Sequence, residues 1–168
     1  MIEELLGLPA HPLLVHAAVV FVPLLILVAV GYALIPRLRR YLAWAAVALA
    51  IIAPASALLA KLSGDAFRAR MVREGTATPD FLPMIDEHRG FGTNLAWAAG
   101  ALGLLVLILV AVTWRARASS GDGADVQQKP FTPVAIALIV GVLAAGAVSG
   151  YYVFKAGDSG ARMVWTGL

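Results

Sequence analysis

Four long apolar blocks, separated by shorter polar segments, divide this chain. Each block contains almost no ionisable side chain; the blocks cover residues 13–34, 41–62, 90–114 and 132–154. A helix rises 1.5 Å per residue, so about 20 residues cross the roughly 30 Å hydrocarbon core of a bilayer. The apolar character runs around every block without a polar stripe, which favours lipid surroundings. The pattern predicts an all-α, integral-membrane four-helix bundle that forms one membrane domain over residues 1–168.

Composition supports a membrane protein and excludes several kinds of site. Hydrophobic residues make up 61% of the chain and charged residues 14%, whereas a soluble domain is nearer half and a quarter. The absence of cysteine excludes disulfides, thiolate-held iron–sulfur clusters and covalently attached c-type haem. No Asp, Glu, Lys or Arg lies deep in a block, which argues against a pump, a channel or a coupled transporter.

The distribution of basic residues predicts the orientation. The connection between blocks 1 and 2 and the connection between blocks 3 and 4 are basic, with Arg37, Arg39, Arg40, Arg115, Arg117 and Lys129. Short basic loops stay in the cytoplasm. We therefore predict a flexible cytoplasmic loop at 115–131, an outer loop at 63–89, and both termini outside a bacterial inner membrane. This explains the net charge of +3 without a nucleic-acid partner.

Two similar strings of residues predict an internal repeat. "GDAFRARMV" begins at Gly64 and "GDSGARMVW" begins at Gly157, each after an apolar block, and "LILVAV" begins at both Leu25 and Leu107. The repeat predicts two tandem αα-hairpins related by a pseudo-twofold axis along the membrane normal. We expect blocks 2 and 4 to end just before these two glycines, because glycine tolerates the left-handed conformation that ends helices.

The aspartates that follow these glycines have two interpretations. Asp65 and Asp158 are either charged caps at the helix ends, paired with nearby arginines, or the lining of a polar pocket at the outer mouth of the bundle.

Three histidines map to the predicted outer side: His11, His16 and His88. Five helical residues separate His11 from His16 by about 140°, so these two side chains do not share a face. We expect His16 to point at another helix and to occupy a position related to that of His88. Imidazoles from facing helices are suited to the axial positions of haem b.

The same histidines are also suited to two other roles. With carboxylates they form a candidate transition-metal set: His11, His16, His88, Asp65 and Asp158. In the remaining interpretation they are interfacial side chains, bonded to carboxylates or backbone, and the protein has no cofactor.

Small residues recur on block 4 at a spacing that permits close helix packing. They are Gly141, Ala145, Gly146, Ser149 and Gly150. This spacing suits either the internal bundle or a contact with a partner subunit or a second copy, in addition to membrane lipid.

The sequence contains no recognisable catalytic constellation, so we name no catalytic residues and expect a non-catalytic redox or metal-binding module, or an accessory subunit of a membrane complex. The alternatives are a purely structural or assembly protein without a cofactor, and an enzyme that acts on lipid or quinone.

The motif "GLPAHPLLVH" at Gly7–His16, a histidine that opens block 3 and "GDSGARMVW" after block 4 resemble a bacterial membrane family catalogued as domain of unknown function 2231. The resemblance covers nearly the whole chain. It implies that His11 and His16 belong to the family motif, with His88 matching more loosely. Many members have a histidine near the outer end of helix 4, where this chain has Asp158. A suspected kinship with four-helix haem cytochromes adds weight to the haem hypothesis.

Overall fold

The computed structural model describes residues 4–5, 7–118 and 132–166, and most of them lie in four long helices. The helices are α1 Ala10–Leu34, α2 Arg39–Arg73, α3 Leu82–Ala118 and α4 Pro133–Thr166. A hairpin of two-residue strands, β1 Glu4–Leu5 and β2 Leu8–Pro9, precedes α1. Each of the four helices is long and apolar enough to cross a membrane. The described chain is therefore an all-α four-helix membrane bundle.

Local sequence signals explain where the helices begin and end. Pro36, which has no backbone N–H to continue a helix, opens the single 3-10 turn that follows α1. Gly75 follows α2 with a φ of 67°, a left-handed conformation that glycine adopts without strain. At the start of α4, the Thr132 hydroxyl accepts a hydrogen bond of 3.2 Å from the N–H of Ala135, and Pro133 takes the first helical position.

The prediction that helices 2 and 4 end just before Gly64 and Gly157 is wrong. α2 continues to Arg73 and α4 to Thr166, so both glycines lie inside helices. Glycine costs about 1 kcal/mol inside a helix, which neighbouring turns can offset. An ion pair four residues apart, Lys61 with Asp65, spans Gly64, and a second pair, Asp158 with Arg162, begins directly after Gly157.

The two predicted loops differ in extent from the observed connections. Within the predicted outer loop 63–89, residues 74–81 alone separate α2 from α3. Within the predicted cytoplasmic loop 115–131, residues 115–118 are the last turn of α3, while 119–131 lie outside the described residues. The polar segments flanking the apolar blocks are thus largely helical, and they carry ion pairs four residues apart such as Arg70–Glu74 and Asp158–Arg162.

The helices form a ring in which each contacts its two neighbours. α1 packs along α2, α2 along α3, α3 along α4, and α4 returns to α1 through a less extensive seam. The hairpins α1–α2 and α3–α4 are the two predicted halves of the bundle. Many core residues are alanines, which let helix backbones approach closely, and larger side chains such as Leu25 and Leu102 fill the remaining space. Tryptophans such as Trp97 and Trp165 project outward.

The small residues of α4 pack inside the bundle. An added Cβ at Gly146 or Gly150 would lie 3.7 or 3.8 Å from atoms of Ile26 on α1, and one at Gly141 would lie 3.5 Å from Leu105 on α3. Ala145 packs against the core and Ser149 is fully buried. The small-residue spacing on α4 suits either packing within the bundle or contact with another chain, and these contacts correspond to packing within the bundle.

At the end of the bundle where α1 meets α2, a buried arginine donates hydrogen bonds to carbonyls in the last turn of α1. Arg39 donates from Nε to the carbonyl of Tyr32 at 2.9 Å and from Nη2 to that of Ala33 at 3.0 Å. Pro36 has no N–H to offer the Tyr32 carbonyl. The Tyr32 hydroxyl in turn is 2.7 Å from the hydroxyl of Thr113 on α3.

Candidate functional site

A cavity of about 650 Å³ lies at the end of the bundle where α1 and α3 begin and α2 and α4 end, which we call the histidine end. All four helices contribute to its walls, and most of the lining is apolar. Val19, Ala57, Leu95 and Val153 lie deepest along their helices among the residues that line it. Cofactors in helical bundles bind in cavities of this kind, formed by side chains on facing helices.

His11 is fixed in orientation by the backbone of α2. Its Nδ1 is 3.0 Å from the carbonyl oxygen of Ala60 and 3.2 Å from the hydroxyl of Ser63. A carbonyl only accepts hydrogen bonds, so Nδ1 carries the proton in this arrangement. Nε2 then carries the lone pair. The ring also stacks on Phe67, with ring centroids 6.3 Å apart.

His88 is fixed in the same way by α4. Its Nδ1 is 2.9 Å from the hydroxyl of Ser159. That hydroxyl donates its own hydrogen to the carbonyl of Ala156 at 3.2 Å, so it accepts from Nδ1–H of His88. The lone pair of this second imidazole is again on Nε2. A hydrogen bond from Nδ1 to backbone or to a side-chain oxygen is the usual way to orient a metal-ligating histidine.

A glycine lies beneath each imidazole. A Cβ added at Gly64 would lie 3.0 Å from Cε1 of His11, and one at Gly160 would lie 3.3 Å from Cε1 of His88. Both positions leave space for the ring because glycine has no side chain. Nothing lies within 4 Å of a Cβ added at Gly157.

These contacts define the repeat that the two hairpins share. The motif is Ala-x-x-Ser-Gly, at Ala60–Gly64 on α2 and at Ala156–Gly160 on α4, with one histidine docked on each copy. The sequence comparison had instead aligned Gly64 with Gly157 and Asp65 with Asp158. In the observed correspondence Gly64 matches Gly160.

The correspondence also changes which histidine occupies the position equivalent to His88 in the other hairpin. The structure equates His88 with His11, not with His16 as the sequence suggested. The "LILVAV" strings do not follow the repeat, since they begin 14 residues after His11 but 19 residues after His88. Asp65 has no acidic counterpart, because Ala161 follows Gly160.

The two docked imidazoles lie close together. The ring centroids of His11 and His88 are 6.1 Å apart, and the ring planes are inclined at 79°. Both rings are half-buried and both line the cavity. His16 also lines the cavity but is exposed, and its Nδ1 is 2.6 Å from the carbonyl of Pro12 in its own helix.

A charged network joins α2 to α3 beside the cavity. Asp65 bonds Lys61 at 2.6 Å and Arg89 at 2.8 Å. Asp86 bonds Arg68 at 2.6 Å and Arg89 at 3.1 Å. Arg89 therefore links the two carboxylates, and the network carries three cations against two anions.

Asp158 lies apart from this network. It pairs with Arg162 at 3.0 Å and lines a second, smaller pocket of about 260 Å³ with Lys155 and Glu87. Four side chains of the candidate metal set line the large cavity, namely His11, His16, His88 and Asp65, whereas Asp158 lines the smaller pocket. Over the described ranges 7–118 and 132–166, no three His, Asp or Glu side chains come close enough to hold a metal ion.

Sequence reasoning missed several residues at this site. Ser63, Ser159 and Gly160 orient the imidazoles, and Lys61 and Arg89 line the cavity, yet none was a candidate. The strings "AKLSG" and "AGDSG" show the Ala-x-x-Ser-Gly repeat in the sequence. Matching the two "GD" pairs instead aligns Gly64 with Gly157, three residues away from its structural equivalent Gly160.

Comparison with known proteins gives one result. The family described as "Predicted membrane protein (DUF2231)" matches residues 7–167. No curated protein and no solved structure matches the chain. The matched range includes both Ala-x-x-Ser-Gly motifs, both docked histidines and all four helices, so this chain belongs to the DUF2231 family of predicted membrane proteins.

Proposed function

We propose that this protein is a membrane-embedded haem b module in which His11 and His88 are the two axial ligands. The observation that carries the proposal is the pair of imidazoles 6.1 Å apart, each with Nδ1 hydrogen-bonded and Nε2 left as the lone-pair nitrogen. The complete absence of cysteine is consistent with a haem that is not covalently attached.

The spacing of the rings fits a shared iron. A metal–imidazole bond of about 2 Å, plus about 1 Å from each nitrogen to its ring centre, puts the ring centres of two opposed ligands about 6 Å apart. The observed separation of 6.1 Å agrees with this value. The rings also come from opposite hairpins, which is the arrangement that axial ligation from facing helices requires.

Haem suits the cavity better than a bare transition-metal ion. A protein-bound ion usually takes three or four protein ligands, and the described residues offer no such group. A haem iron needs only the two axial ligands from the chain, because the porphyrin supplies the other four nitrogens. The mostly apolar cavity of about 650 Å³ also matches a large flat ligand better than an ion.

A haem held by His11 and His88 would supply reversible one-electron transfer. The chain's own contribution is to hold and orient the rings. Ser63 and the Ala60 carbonyl fix the rotation of the His11 imidazole, and Ser159, which is itself bonded to the Ala156 carbonyl, fixes that of His88. The mostly apolar lining disfavours water around the bound group.

The basic connections support an inward orientation for the end opposite the histidines. Arg37 and Arg40 lie where α1 meets α2, far along both helices from His11. By the positive-inside rule, that end is cytoplasmic, and the histidine end with both termini faces outward in a bacterial inner membrane. The module would then exchange electrons at the outer face, either alone or as an accessory subunit of a membrane complex.

The proposal is tested by spectroscopy of the full-length protein, purified in detergent from cells supplied with a haem precursor. We expect a Soret band, sharp visible bands after reduction with dithionite, and close to one haem per chain by pyridine haemochrome assay. His11→Ala and His88→Ala should each abolish the reduced six-coordinate spectrum, because each removes one axial ligand.

His16→Ala is the matched control. It removes a histidine that lines the same cavity but is bonded to its own helix, so the spectrum should persist. Circular dichroism and gel filtration establish that all three variants are folded. A wild-type protein that takes up no haem, including after incubation with haemin, would refute the proposal, as would an unchanged spectrum in both His11→Ala and His88→Ala.

A further inference from the structure

The cavity walls differ in charge although the two hairpins repeat. Lys61 directly follows Ala60 of the motif on α2, and Arg89 directly follows His88; both line the cavity. The equivalent positions in the other copies are Gly157 and Pro12, which carry no charge. The repeat is therefore symmetric in its ligands and asymmetric in its charge.

The charged wall has an unbalanced positive charge. Lys61, Arg68 and Arg89 face two carboxylates, those of Asp65 and Asp86. Asp65 accepts from both Lys61 and Arg89, so one carboxylate serves two cations. A single additional anionic group beside this wall would balance the network.

Lys61 is the group best suited to bind that anion. Its ammonium has three donors, and one of them reaches Asp65 at 2.6 Å. The side chain is 29% exposed, so it lies at the boundary between the cavity and the surroundings. Arg89, by contrast, already spreads its guanidinium over two carboxylates.

We propose that Lys61 binds a carboxylate of the ligand, so that the cavity selects an amphiphile with an apolar body and an acidic edge that faces α2 and α3. This inference rests on the proposed function, because it takes the ligand to be a haem, whose propionates supply the acidic edge. The uncharged wall formed by α1 and α4 receives the apolar edge.

The test uses protoporphyrin IX and its dimethyl ester, which differ in the two carboxylates and contain no iron. Binding of these porphyrins does not require axial ligation, so the result is independent of whether His11 and His88 hold a haem. Fluorescence titration of the detergent-solubilised full chain gives a dissociation constant for each porphyrin. The acid-to-ester ratio of the two constants is then compared between variants, which cancels the different partition of the two porphyrins into micelles.

We expect Lys61→Met to weaken binding of the free acid about three- to tenfold relative to the ester, the range for one partly exposed charged hydrogen bond. Lys61→Arg should retain the wild-type ratio. Lys155→Met is the control, because Lys155 lies over the Phe91 ring and lines the other pocket. A Lys61→Met ratio equal to that of wild type overturns the inference, and so does a wild-type protein that binds neither porphyrin.

Discussion

Replacing Gly103 with alanine tests the packing of α2 against α3. Pro54 has no N–H, so the carbonyl of Ala50, one turn earlier in α2, lacks its usual helical donor. Gly103 of α3 packs against this carbonyl. A Cβ added at Gly103 would lie 2.5 Å from the Ala50 oxygen and 3.0 Å from Cγ of Pro54.

The size of the effect follows from these distances. A carbon–oxygen contact is comfortable at about 3.3–3.6 Å, so the helices would have to separate locally by roughly 1 Å. Backbone cannot move aside as a side chain does, and over-packing of this kind costs about 1–3 kcal/mol. Alanine also gains about 1 kcal/mol of helix propensity over glycine, which partly offsets that cost.

Gly100→Ala separates the two contributions. Gly100 lies on the same helix, nearly one turn earlier, and nothing is within 4 Å of an added Cβ. The propensity gain is common to both variants, so the difference between them isolates the clash at about 1–3 kcal/mol. The free energy of unfolding is measured by titrating micelle-solubilised protein with SDS. Equal stabilities for Gly103→Ala and Gly100→Ala would refute the close approach at Ala50.

Three further outcomes are expected. Arg39→Leu should lower the free energy of unfolding by about 1–3 kcal/mol in the same SDS titration, because it leaves the carbonyls of Tyr32 and Ala33 without their donor. Arg40 is exposed, so Arg40→Leu should change the free energy of unfolding little. Equal losses in the two variants would contradict this prediction. Gly64→Ala should displace His11 and so reduce the haem content measured in the pyridine haemochrome assay, whereas Gly157→Ala should leave the haem content unchanged. Loss of haem in both variants would instead favour the alignment of Gly64 with Gly157 that the sequence suggested. In this cysteine-free chain, an impermeant maleimide should label Asp80→Cys in intact cells and Ser120→Cys only after lysis; the reverse pattern would invert the proposed orientation.

The helices and their number were predictable because the bilayer imposes a simple requirement. Every backbone polar group in the hydrocarbon must be satisfied within the chain, so a long apolar run becomes a helix whatever its neighbours are. The ends were less predictable. Gly64 and Gly157 can either end a helix or sit inside one, and in the structure both sit inside, with the Lys61–Asp65 pair across Gly64 adding about 0.2–0.5 kcal/mol.

The histidines of the candidate site were predictable from the sequence, but which two of them face each other was not. Histidines near the starts of α1 and α3 are visible in the sequence, and their shared end follows from an even number of crossings. Which imidazole faces His88 depends on rotation of each helix about its axis, and one residue of helix turns a side chain by about 100°. Packing of the rings over Gly64 and Gly160 sets that rotation and selects His11 over His16.

The sequence by itself thus determined a four-helix membrane bundle made of two similar hairpins, because burial in lipid is a property of each segment alone. Only the tertiary structure decided the register of the repeat, the His11–His88 pair and the charged wall that contains Lys61. Those features depend on distances between helices, and neither composition nor the spacing of residues along one helix contains them.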